Sequence, residues 1–492
     1  MYLPIIFLFL VSFVWFSKIF YIWDADTGLW YLISNHFNDT YIPYKNEFDN
    51  KGPLFYLFIK FISNIIGYGV YQAYFVYSLI IFIFFLTLLY LLNQKQLDFK
   101  TFWILILSFT SIFFMRKPHV VFILFYYSFF ILFIYFLIKS IERKSIKYFI
   151  ISVFIFSLCS IILVEIFLYS PLILLAYIKL FILDQKKIIN AIIYPILCLT
   201  IFVLINLLPK IYYGYSFNEF LTSFALYKTG DSIGPVNSIN FIYYLTLTLI
   251  LPLFLLSFHF SNFKSLFIKR FEYFTLSIFL IITILKYLYF ADGSSSRYLL
   301  YLYIPLIFFI IYFSNFIKIN KVVSILFLII TFFVHGKNLA PPILKNIIQH
   351  NCFINFFCDA PSYANLFKDT VEYLNKNNDR KYYYVDINGW VLIMTKSDFH
   401  GVINNYYIYS CKSGNCTDKK DNNEPFITDG LLLVHNKFLN GDYGNSVIYD
   451  WSFIRSSDQL SAYWGQIKKK EKIQKSLGHY HLSEINITAQ NN

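Results

Sequence analysis

Apolar residues run through this chain in blocks of roughly 17 to 25, the length at which an α-helix crosses a bilayer with its backbone hydrogen bonds kept inside the segment. The blocks predict spans near residues 2–22, 69–92, 101–115, 119–138, 147–163, 167–183, 188–209, 240–258, 271–290, 298–314 and 321–337, about eleven in all. The first block has no basic start and no small-residue cleavage site, so it is expected to be retained as a helix. Residues 53–67, PLFYLFIKFISNIIG, are shorter and interrupted by Lys60. They predict a helix lying on the membrane surface rather than crossing it. Residues 28–39 predict another short helix, with Asp26 or Thr27 as its N-cap.

The polar breaks between blocks alternate in charge. One set holds Lys95 and Lys100, then Lys139, Arg143, Lys144 and Lys147, then Lys186 and Lys187, then Lys264, Lys269 and Arg270, then Lys318 and Lys321. Basic loops stay on the cytoplasmic side. The other set is acidic or mixed: residues 23–68, the RKPH at 116–119, the turn around Glu165, the loop 210–239 and ADGSSSR at 291–297. These are expected on the outer face, together with everything after the last span.

Composition agrees with a polytopic α-helical membrane protein. The 492 residues are 58% hydrophobic and 14% charged, and the mean hydropathy is clearly positive, outside the usual range of soluble domains. The 43 Tyr and 59 Phe read as a compositional bias of the source genome rather than as a functional signal. A net charge of +13 suggests nucleic acid in a soluble protein. Here it follows the loop alternation, so a lipid bilayer is the expected partner and nucleic acid is not.

Near Pro341 the pattern changes. KDTVEYLNKNNDR reads as a helix, KYYYVDINGWVLIMT as a strand and GLLLVHN at 430–436 as another, so 341–492 predict a small exported α/β domain of about 130 to 150 residues. Residues 1–340 form the membrane domain. Cys352, Cys358, Cys411 and Cys416 fall in the tail, where an oxidising compartment permits disulfides of open connectivity. Their spacing does not match structural zinc sites. Cys159 and Cys198 lie in spans and read as small buried hydrophobes.

The densest chemistry lies in the first outer loop, 23–68, where DADTGLWYLISNHFNDTYIPYKNEFDNKGPLFY sets Asp24, Asp26, Glu47, Asp49 and Lys51 beside apolar helices at the depth of lipid headgroups. Acids there are also what the wet end of a helix looks like. Their concentration, with one lysine and a Gly-Pro turn, favours a site for an anionic lipid.

Asp26, Tyr31, Pro43, Tyr44, Asp49, Lys51, Gly52 and Pro53, in that spacing, resemble the first outer loop of GT-C membrane glycosyltransferases, in particular the bacterial branch related to protein O-mannosyltransferases and the lipid A aminoarabinose transferase. The resemblance implies a polyprenyl-phosphate sugar donor, an exported acceptor and inversion at the anomeric carbon. It implies a loop carboxylate as general base, Asp26 first and Asp24 second by spacing from Pro43; this chain has Asp-Ala-Asp where many relatives show a single Asp or Asp-Glu, so both stay open. For Asp49 it implies either orienting the acceptor or joining a divalent metal site; metal dependence is not uniform in the family, and both stay open. Lys51 then stands as counter-charge to the donor phosphate, or as a snorkelling lysine. The resemblance is good over the first 60 or so residues, loose to about residue 337 and absent in the tail.

Further candidates lie in other outer segments. Arg297 and Tyr298, entering a span that contains Pro305, resemble a later span of the same families, where arginine suits a donor phosphate; an interfacial anchor is the equal alternative. Arg116 and Lys117 run against the positive-inside trend, a sign of an anionic ligand. His119 reads as structural, with a metal site as its alternative, and Glu165 as pairing with a base or lining the cavity. Asp-Ala-Asp is not taken as a nucleotide-sugar motif, because no nucleotide-binding domain surrounds it.

Three other functions compete. A transporter or flippase of a lipid-linked or polyanionic substrate predicts mid-membrane charges or an internal repeat, and neither is visible. A membrane anchor for the tail leaves the acidic loop without a purpose. A polysaccharide polymerase or ligase predicts its chemistry in a larger later loop than 210–239.

Overall fold

The computed structural model describes residues 28, 30, 31, 34, 35, 52–94, 120–184, 188–213, 258–260, 271–290, 304, 305, 308, 312, 317–319, 322, 326, 329, 362–377, 382–385, 399–403, 430–435, 472–477 and 480–485. The helices are α1 (Pro53–Ile66), α2 (Val70–Gln94), α3 (Val120–Glu142) and α4 (Ile146–Ser160), then α5 (Ser170–Tyr177), α6 (Ile188–Tyr213), α7 (Phe271–Phe290) and α8 (Ser362–Lys376). A 3-10 segment, Val164–Tyr169, leads into α5, and a π segment, Ile178–Asp184, follows it.

The centre of the bundle is the hairpin of α3 and α4. Long apolar runs give both helices, and serines let them approach closely. The hydroxyls of Ser128, Ser140, Ser152, Ser157 and Ser160 are buried, and each donates to a carbonyl three or four residues back in its own helix. Their polarity is satisfied locally, so they act as small packing residues. Phe133 meets Phe156, and Phe136 stacks on Tyr148, across the antiparallel pair.

Between the two helices lies a tight turn. Ser145 N–H donates to Ser140 at 3.0 Å and Lys144 N–H to Ile141 at 3.4 Å, the 6→1 and 5→2 bonds of a Schellman cap. Lys144 holds the left-handed position at φ 49°. At the same end, the Lys139 amine donates to the Tyr135 hydroxyl at 2.7 Å and lies over the Tyr135 and Tyr148 rings. Gln94 and Tyr90, at the end of α2, reach the same Tyr135. The α2 and α3 helices therefore run parallel, ending together. Tyr312 donates to Glu142 there as well.

The opposite end carries α1. Its Phe55 contacts Phe122 and Phe125 near the start of α3, and it hands over to the start of α2 through Gly67, at φ 90°, and Gly69, at φ 156°. Both termini of α1 thus lie at one end of the bundle, and the helix lies across it. Pro53, Phe55, Tyr56, Ile59 and Ser63 face inward, while Phe61 and Ile65 face out.

Two helical stretches among the described residues are long and apolar enough to cross a membrane, Val121–Glu142 and Glu165–Ile182. Observed bounds differ from the expected ones where polar residues continue a helix: α3 runs on to Glu142 and α6 to Tyr213, because basic and aromatic ends extend past the apolar stretch. The expected span 167–183 begins as a 3-10 turn and finishes as a π turn. Phe258, expected as the last residue of a span, belongs to β1 (Phe258–Phe260), which pairs antiparallel with β2 (Ile317–Ile319). The expected spans 2–22 and 101–115 lie outside the described residues.

In the C-terminal part, α8 precedes five strands: β3 (Tyr382–Val385), β4 (Phe399–Ile403), β5 (Gly430–His435), β6 (Lys472–Leu477) and β7 (Tyr480–Ile485). They form one sheet in the order β4-β3-β5-β7-β6. β3 is parallel to both β4 and β5, and β7 is antiparallel to β5 and β6. α8 buries Thr370 and Leu374. The four cysteines of the tail lie outside the described residues; Cys159 is buried, and neither it nor Cys198 is in a disulfide.

Candidate functional site

The end of the bundle covered by α1 is where the first loop meets the rest of the molecule. The N-terminus of α1 has no side-chain cap, so its first amides need other acceptors. They find them on the turn that follows α4: Gly52 N–H donates to the Ile162 carbonyl at 2.8 Å and Leu54 N–H to the Ile161 carbonyl at 3.2 Å. One helix's unsatisfied donors meet the acceptors just beyond another helix's carboxyl end, and their dipoles complement each other. Pro53 occupies the first helical position, where its missing N–H costs nothing.

This joint has no room for a side chain. A Cβ on Gly52 would fall far inside contact distance of the Ile161 carbonyl and 2.8 Å from the Ile162 oxygen. Gly52 has φ −71°, which any residue adopts, so glycine is required here by close approach and not by conformation.

The helical residues Gly28, Trp30, Tyr31, Ser34 and Asn35 complete the ledge. Trp30 is buried against Phe55, edge to face at 5.5 Å, and against Phe122 at 6.2 Å. Tyr31 is fully buried and stacks on Tyr68 at 5.4 Å, with its hydroxyl 3.5 Å from the Gly67 carbonyl. Burial pushes the Tyr31 phenol above its ordinary value, and the polar groups of Ser63, Gly69 and Asn35 nearby offset part of that rise. It is therefore a neutral group in the working pH range.

Glu165 lies in the first turn of the 3-10 segment just beyond the joint and is 6% exposed. It lies within electrostatic reach of Tyr126 on α3 and of Tyr169, and the Tyr169 hydroxyl lies 3.2 Å from that of Thr283 on α7. A buried acid and three hydroxyl side chains thus sit behind the ledge.

The residues expected to do chemistry, Asp24, Asp26, Asp49, Lys51, Arg116, Arg297 and Tyr298, lie outside the described residues, as do Pro43, Tyr44, Lys117 and His119. Of the first-loop pattern, Tyr31, Gly52 and Pro53 are described, and they come together at one end of the bundle. Among the described residues no three His, Cys, Asp or Glu side chains are grouped to hold a metal ion. The partners of Gly52 are backbone carbonyls of isoleucines, for which the sequence carries no signal. Tyr126, Tyr169 and Thr283 were equally silent within apolar spans. The chain was compared with protein-family models, and none matches it.

Proposed function

We propose that this chain is an integral membrane glycosyltransferase of the GT-C type that transfers a sugar from a polyprenyl phosphate to an exported acceptor on the outer face of the cell membrane. The observation that carries the proposal is the first loop: its Asp-rich, Lys-Gly-Pro pattern is coupled to a folded ledge, α1, across one end of a helical bundle. The membrane setting is supported by the two long apolar helices. It is also supported by the apolar exterior of α6, where Ile192, Ile196, Leu199 and Leu204 are each about 60% exposed, a surface that suits lipid and not water. The parallel run of α2 and α3 favours the eleven-span topology, since parallel neighbours need a returning connection and the sequence places a span at 101–115. The tail is then a small outer α/β domain built on the sheet of β3 to β7.

In this reaction Asp26 takes the proton from the acceptor hydroxyl as its oxygen attacks the anomeric carbon. The bond from that carbon to the phosphate oxygen breaks, and polyprenyl phosphate leaves with the electron pair. Lys51 and Arg297 stabilise the charge that develops there, and Arg116 and Tyr298 are the further candidates for the donor phosphate. Asp24 is the alternative base, and Asp49 orients the acceptor.

The test is transfer of label from a pool of radiolabelled polyprenyl-phosphate sugars to membrane glycans, glycolipid or protein, at matched expression. Asp26→Asn is expected to lower transfer at least 100-fold with the protein still folded, and Asp24→Asn to leave most of it. Full transfer by both variants sinks the loop as catalyst. No transfer even by the wild type favours transport of a lipid-linked substrate instead.

A further inference from the structure

Two cations in the turn between α3 and α4 stand where local rules disfavour them. Lys144 takes the left-handed position, φ 49°, in which a side chain is strained and glycine is not. Lys147 lies in the first turn of α4, where the helix dipole favours an acid and none is present. Residues 139–147 hold four basic side chains against one acid, Glu142, whose carboxylate accepts from the Tyr312 hydroxyl. Arg143, Lys144 and Lys147 are all exposed. A hairpin needs a polar break at this point, and glycine with neutral polar residues would supply it without strain or repulsion. Local rules broken together in so short a stretch mark a function.

The surroundings say what the charges meet. α3 is long and apolar enough to cross a bilayer, so the turn at its end lies at the depth of lipid headgroups. Lys139, one helical turn back, donates to the Tyr135 hydroxyl at 2.7 Å and lies over the Tyr135 and Tyr148 rings at 4.9 and 5.0 Å. A half-buried amine thus sits below the exposed cations. Leu86 and Tyr90, one turn apart on α2, are exposed, and the Tyr90 ring lies 5.9 Å from that of Tyr135. Apolar surface therefore runs along α2 up to the basic turn. Cations at the end of an apolar wall match the two parts of a phospholipid, a phosphate and its acyl chains.

We propose that the α3–α4 turn is a binding site for the headgroup of an anionic phospholipid, with Arg143, Lys144 and Lys147 as its cations. The left-handed lysine is kept because its charge serves the site. The inference rests on the membrane setting and not on the transfer reaction.

The experiment titrates the purified full chain, in detergent at constant ionic strength, with phosphatidylglycerol or phosphatidylcholine of the same acyl chains. Bound lipid is counted by native mass spectrometry. The wild type is expected to bind phosphatidylglycerol about tenfold tighter or more. Lys144→Gln and Lys144→Gly are each expected to lower that affinity about fivefold, and the Arg143→Gln/Lys147→Gln pair about 25-fold, with phosphatidylcholine binding unchanged. Lys144→Gly also relieves the strained backbone, so its Tm at or above that of the wild type separates lost binding from lost folding. Lys60→Gln, on α1 at the other end of the bundle, is expected to keep wild-type affinity. Equal affinity of the wild type for the two lipids overturns the proposal, as does unchanged phosphatidylglycerol affinity in Lys144→Gly or in the double variant. An equal loss in Lys60→Gln overturns it too, since net charge and not this turn would then hold the lipid. Displacement of phosphatidylglycerol by excess inorganic phosphate would assign the cations to a soluble anion and overturn the lipid as ligand.

Discussion

Tyr31 shows how the ledge treats a polar group. Its ring is fully buried, and burial raises its phenol above the ordinary value, so the folded state holds that proton at a pH where the unfolded chain has released it. Stability from this group is fully present below the unfolded value of about 10 and is lost as pH rises through the folded one. Thermal unfolding of the purified protein between pH 8 and 12 should therefore show a steeper alkaline decline in wild type than in Tyr31→Phe. Equal slopes would mean that the ring is solvated. Tyr31 was legible in the sequence as part of a pattern, and Gly52 as a turn glycine. What no residue type announces is the partner of Gly52, since a carbonyl can belong to any residue, and here it belongs to isoleucines inside an apolar run. Glu165 was legible as a lone acid at a span boundary, but its tyrosine neighbours come from helices whose sequences read as uniformly apolar.

Among the elements, the α3–α4 hairpin was read most directly, because long apolar runs separated by a short basic turn leave little choice of structure. Bounds were less legible: apolarity marks what faces lipid or core, whereas helices go on until a cap stops them. At the end of α3 the stop is a Schellman cap with a lysine in the position that favours glycine. A left-handed lysine is strained, and the strain exceeds the extra unfolded-state freedom that glycine brings. Lys144→Gly is thus expected to stabilise the hairpin by about 0.5 kcal/mol, read as a raised Tm in detergent. A lowered Tm would show that the lysine side chain contributes more at this end than its backbone costs. The change from 3-10 to α to π between Val164 and Asp184 had no sequence signal, since an apolar pattern does not distinguish how tightly a helix winds.

For the whole molecule, the arrangement of ends ties function to topology. α3 has 23 residues, about 34 Å of helix, enough to cross the hydrocarbon of a bilayer. One of its ends carries the basic turn with Lys139, Arg143 and Lys144. The other carries the ledge, because the Gly52 joint is made to the turn after α4, at the far end of the hairpin from that basic turn. If the basic turn is cytoplasmic by the positive-inside rule, the ledge faces outward, the side on which the proposed lipid-linked donor would be used. Asn64 on α1 and Arg143 in the hairpin turn are both exposed, so they report on the two ends. A membrane-impermeant maleimide added to intact cells should label Asn64→Cys and leave Arg143→Cys unlabelled until the membrane is opened, against a parent chain in which labelling of the native cysteines has been blocked. The reverse pattern would put Asp24, Asp26 and Lys51 in the cytoplasm, where an outward-facing transferase could not use them. Labelling of both positions from outside would show that α3 does not cross the membrane, and the bundle would then need another explanation for its apolar exterior.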